Sequence, residues 1–62
     1  MPNAKELAAI AGQVRNASAA VKPVDADPFA NTLNLAVFHL NSAAKLLREV
    51  AEAKASREGI EL

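Results

Sequence analysis

Cysteine, tryptophan and tyrosine are absent from the chain. Without cysteine no disulfide can staple the fold, and the single histidine, His39, cannot build a structural zinc site by itself. No metal or cofactor is therefore expected. Glycine is scarce too, and Gly12 and Gly59 stand too far apart to form a phosphate-cradling loop. One histidine, three serines and one threonine make too thin a stock for converging catalytic groups, so no enzymatic activity is expected. Neither sign of charge is in excess, with Lys plus Arg at 7 and Asp plus Glu at 7. No overall field draws in long nucleic acid or an anionic membrane, whereas a small ligand with a few phosphates remains compatible. No apolar run approaches the roughly 20 residues of a membrane span, and MPNAKELAAI lacks the basic, apolar and small-residue order of a signal peptide. A soluble, cytoplasmic chain is the expectation.

Shortness is a further deficit. A chain of 62 residues is one domain at most, and a domain this small buries only about 60% of its unfolded surface. With disulfides and zinc set aside, self-association is the remaining source of support.

Helix-forming pattern fills most of the chain. Asn3 with Glu6 three residues later reads as a capping box. From there Leu7, Ile10, Val14, Ala17 and Val21 recur in steps of 3 and 4, the spacing of a coiled-coil seam, flanked by Ala4, Ala11 and Ser18. Pro23 disfavours helical geometry at Lys22, which ends the first helix near Val21. Asp27 is a good N-cap and Pro28 suits the first helical position, so a second helix is expected from Pro28. The spacing predicts helices over about 4–21 and 28–58 around a turn at 22–27: a single all-α, two-helix antiparallel hairpin, short helix first. The second stripe is Phe29, Leu33, Ala36, Leu40, Ala43, Leu47 and Val50, with Ala30, Val37, Ala44 and Ala51 as a small-residue flank. Gly59 marks the stop.

The helices are unequal, ~45 Å against ~27 Å at about 1.5 Å per residue. The hairpin is therefore expected to place Leu7 near Leu47 and to leave the chain beyond Val50 uncovered. There Lys45/Glu49, Arg48/Glu52 and Lys54/Glu58 are spaced for i, i+4 pairs, in the order that contributes least. Leu35, Phe38 and Leu46 lie off the seam at helical spacing with Ser42. They are surplus to a hairpin, and packing copies into a homo-oligomeric bundle would cover them. The interface between copies is expected to use Leu33, Leu35, Ala36, Phe38, Leu40, Ala43, Leu46, Leu47 and Val50. His39, beside the seam, reads as a partly buried interface residue. Gly12, inside the first helix, costs up to about 1 kcal/mol relative to alanine and leaves room for a close approach.

Two polar columns complete the pattern. Asn34, Asn41 and Arg48 are seven apart on the second helix, and Arg15 and Lys22 are seven apart on the first. Both columns fit solvated faces. Brought together they would offer amides to base edges and cations to phosphates, with Phe38 as a stacking surface. Arg15, Lys22, Asn34, Phe38, Asn41 and Arg48 are the candidate ligand-binding residues.

The stretches "ELAAIAGQV", "VKP" and "LNLAVFHLNSAAKLL" resemble the short helical-hairpin proteins that phages use as sponges for the nucleotide messengers of CBASS and Thoeris defence. The resemblance covers about residues 4–47, with Leu33, Ala36, Asn41 and Ala43 in matching places. It departs at His39, where the family has a tryptophan, and at Asp25, Ala26 and Asp27, where a basic residue would follow the turn. It implies a homo-oligomer, in the host cytoplasm if phage-encoded, whose inter-chain pockets hold cyclic di- or trinucleotides or ADP-ribose-derived signals without cleaving them. A second resemblance, through Asp25–Asp27 at the turn, is to the plasmid-encoded Rop four-helix bundle, which dimerises and binds paired RNA loops. It implies a small structural or regulatory adaptor for protein or RNA, although the first helix has only Lys5, Arg15 and Lys22 as cations.

Overall fold

A capping box starts the first helix: the Glu6 backbone N–H donates to Asn3 Oδ1 at 2.9 Å and the Asn3 N–H to Glu6 Oε1 at 3.3 Å. The computed structural model describes residues 2–62. Among these it contains α1 (Ala4–Ala20) and α2 (Ala30–Glu58) and no strand. The two helices pack as a hairpin, short first and long second. Val21 is already extended, at φ −84° and ψ 110°, in keeping with the bias Pro23 imposes on the chain before it.

The turn is built by Asp27. Its N–H donates to the Val24 carbonyl at 2.9 Å, its carbonyl accepts from Ala30 at 3.1 Å, and its Oδ1 accepts from the Phe29 N–H at 2.8 Å. These short-range bonds make Pro28 and Phe29 a turn rather than the first residues of the helix. Phe29, at φ −101° and ψ 10°, lies outside helical geometry, so α2 begins at Ala30. At the far end Gly59 adopts the left-handed conformation, φ 69°, and the Ile60 N–H reaches back to the Ala55 carbonyl at 3.0 Å. This pattern satisfies carbonyls that an α-helix leaves open at its end.

The face that each helix buries differs from the expected one. α1 buries Ala4, Leu7, Ala11 and Ser18, with Val14 half-buried, while Ile10 and Ala17 are exposed. α2 buries Ala44, Ala51 and Ala55, with Leu33, Val37, Leu40 and Leu47 half-buried, while Ala36, Ala43 and Val50, and Phe29 before the helix, are exposed. On both helices the seam has turned toward its small flank. Alanine and serine on facing turns let the two backbones come close, and dispersion contacts grow as the gap shrinks. The result is a thin core in which no large side chain is fully buried.

Cover along α2 extends further than the unequal lengths suggest. Ala51 and Ala55 are buried and Lys54 is half-buried, and Lys54 Nζ donates to the Pro2 carbonyl at 3.0 Å. The chain before α1 thus prolongs the shorter arm, and α2 has a partner in its own chain to about Ala55 rather than Val50. Of the three expected charge pairs only Arg48–Glu52 forms among the described residues, at 3.2 Å. The molecule measures 49 × 17 × 14 Å, two helices wide and one thick, so every residue of α2 away from α1 faces solvent.

Candidate functional site: a groove with two arginines

One side of the helix pair opens into a groove of about 330 Å³ lined by Ala8, Ala11, Gly12, Arg15, Ala44 and Arg48. Its origin lies in the same small residues that make the seam. Ala11 and Ala44 fill the contact between helices with little bulk, and nothing lies within 4 Å of where a Gly12 side chain would begin. The floor is therefore apolar and shallow. Arg15 stands on α1 four residues after Ala11, and Arg48 on α2 four residues after Ala44, so each guanidinium rises one turn beyond a floor alanine.

Arg48 makes one side-chain bond, from its Nε to Glu52 Oε1 at 3.2 Å, between side chains 49% and 63% exposed. An exposed i, i+4 pair of this kind contributes about 0.3–0.5 kcal/mol, so a bound anion would displace it readily. Two guanidinium groups over a small apolar floor suit a compact ligand with an uncharged face and one or two phosphates.

The expected binding residues divide accordingly. Arg15 and Arg48 both line the groove. Asn41, one heptad before Arg48, is engaged otherwise: the Ser18 hydroxyl donates to its Oδ1 at 2.7 Å, tying α1 to α2. Lys22 and Asn34 are exposed and line no part of the groove. Phe38 also lies outside it, 63% exposed, its ring edge-on to His39 at a centroid distance of 5.6 Å. His39 itself is exposed rather than partly buried. Ala8, Ala11 and Ala44 were not expected as site residues; the signal for Ala11 and Ala44 was their place on the small flanks, and Ala8 had none.

Of the expected interface residues, Leu33, Leu40 and Leu47 are half-buried and already take part in the seam within the chain. Leu35, Ala36, Phe38, Ala43, Leu46 and Val50 are exposed. Among the described residues no helix is long and apolar enough to cross a membrane, and no group of three or more His, Cys, Asp or Glu is placed to hold a metal ion. No protein-family model, curated protein or solved structure matches the chain.

Proposed function

We propose that this protein is a non-enzymatic binding module that sequesters a small nucleotide-type signal, a cyclic di- or trinucleotide or an ADP-ribose derivative, as a homo-oligomeric helical hairpin. The observation that carries the reading is that Arg15 and Arg48 line one alanine-floored groove beside Gly12. A phosphate bridging two guanidiniums gains charge-assisted hydrogen bonds, and the alanine floor accepts the uncharged side of a base or ribose. Sequestration needs only stoichiometric binding, which suits a chain in which no catalytic cluster is evident. The likeness of residues 4–47 to the phage sponge proteins points the same way. Such an activity would lower the free messenger and keep a host effector off.

Thermal melting with cyclic dinucleotides, cyclic trinucleotides and cyclic ADP-ribose isomers tests the reading, since a ligand that binds only the folded state raises the melting temperature by mass action. A rise with one class, lost in Arg15→Ala and Arg48→Ala, is expected. Gly12 separates binding from folding. Gly12→Ala should stabilise the fold by up to about 1 kcal/mol through helix propensity, whereas Gly12→Leu should fill the groove and remove the ligand response. No rise with any of these compounds would end the proposal. A second reading, a Rop-like adaptor for protein or RNA, is favoured by the exposed Leu35, Phe38 and Leu46. An RNA-binding bundle would show affinity falling steeply with salt.

A further inference from the structure

From Pro28 to Ala44 the chain carries no Lys, Arg, Asp or Glu, and every charge of α2 lies from Lys45 onward. Yet α1 covers only one side of this segment. Leu35 is 56% exposed, Phe38 63% and Leu46 61%. An uncharged helix segment is expected where the helix is enclosed rather than wetted, and none of the described residues encloses its outer side.

We infer that the back of α2 is the pairing surface for a second copy of α2 running in the opposite direction, with Leu35 of each copy against Leu46 of the other and Phe38 of each beside Ser42 and Ala43 of the other. Three observations carry this. First, the patch is self-complementary under reversal: Leu35 and Leu46 come within 20° of one another around the helix at 100° per residue, and a twofold axis level with Leu40 and Asn41 exchanges them. The same operation sets the large Phe38 level with the small Ala43, next to Ser42. Second, charge selects the direction. Reversed copies pair residues 37–44 with one another and set Lys45, Arg48 and Glu49 level with the uncharged Ala36, Leu33 and Thr32 of the other copy, while parallel copies would stack Lys45 on Lys45 and Glu49 on Glu49. Third, no large side chain among the described residues is fully buried, so covering Leu35, Phe38 and Leu46 would add apolar burial that the hairpin alone lacks. The groove at Arg15 and Arg48 stays open, because it lies beside α1. The inference specifies the self-association named above and is independent of the ligand.

The absence of cysteine permits a direct test. Ser42→Cys places a thiol near the twofold axis, and Glu61→Cys places one at the end of the chain, where only a parallel pair brings two copies together. Treatment with a short bis-maleimide should link Ser42→Cys into a species of twice 6.5 kDa and leave Glu61→Cys unlinked. Sedimentation of the unaltered chain should give two copies or a multiple. Leu35→Glu with Leu46→Glu, both at exposed sites, should return it to one copy with helical circular dichroism retained. Linking through Glu61→Cys, no linking through Ser42→Cys, or a helical single chain at high micromolar concentration would each overturn the arrangement. These readouts do not involve nucleotide, so pairing without ligand response removes only the sequestration reading.

Discussion

At the scale of single residues, Ser18 and Asn41 do more for the fold than their chemistry alone suggests. Ser18 is 4% exposed and its hydroxyl donates across the seam to Asn41 Oδ1. In an interface otherwise made of methyl and methylene groups, this bond distinguishes one register from its neighbours. Ser18→Ala should cost about 0.5–1.5 kcal/mol, the usual net worth of such a bond, measured as a lower urea midpoint with the slope unchanged. The pair also shows how far residue-level reading goes. Asn41 fell in a polar column with Asn34 and Arg48, and the spacing was right. Its partner was invisible, because Ser18 reads in sequence as one more small residue on a helix flank.

At the scale of the helices, the small columns decide the geometry. Ala44 and Ala51 are completely buried, leaving no space for larger side chains. Ala44→Leu should destabilise by about 1–3 kcal/mol through overpacking and, by pushing the helices apart, should widen the groove. Substitution of Ala36 or Ala43 by leucine, at exposed positions one step around the same helix, should leave the hairpin's own packing intact. Comparing the urea midpoints of these three variants with that of the unaltered chain checks which column faces inward. The C-terminal stop gives a third expectation. Gly59 holds φ 69°, where a side chain costs roughly 1–2 kcal/mol, so Gly59→Ala should fray the last turn and expose its amides to faster hydrogen exchange without altering the groove.

At the scale of the whole molecule, the balance between core and surface dominates. Ile10, Val24, Phe29, Leu35, Phe38, Leu46 and Val50 are all exposed large apolar residues, while the core is mainly alanine. A chain stabilised by its copies has a melting temperature that depends on concentration. The midpoint should therefore rise measurably over a hundredfold increase in chain concentration, and a constant midpoint would show that the hairpin stands alone.

Much of this was legible beforehand. Periodicity, caps and prolines act within a few residues of themselves, so the two helices, their order, the Asn3 cap and the Gly59 stop follow from the sequence alone. The start of α2 was displaced from Pro28 to Ala30 because Asp27 spends its bonds on a tight turn. Which stripe turns inward was not legible. Leu7 and Val14 on α1, and Leu33, Leu40 and Leu47 on α2, can be completed by large residues on one side or small ones on the other, and both choices repeat every seven residues. Only the packed pair resolves this, because the benefit of close approach exists only once two backbones face each other. That choice opened the groove between Arg15 and Arg48 and left the large residues outside.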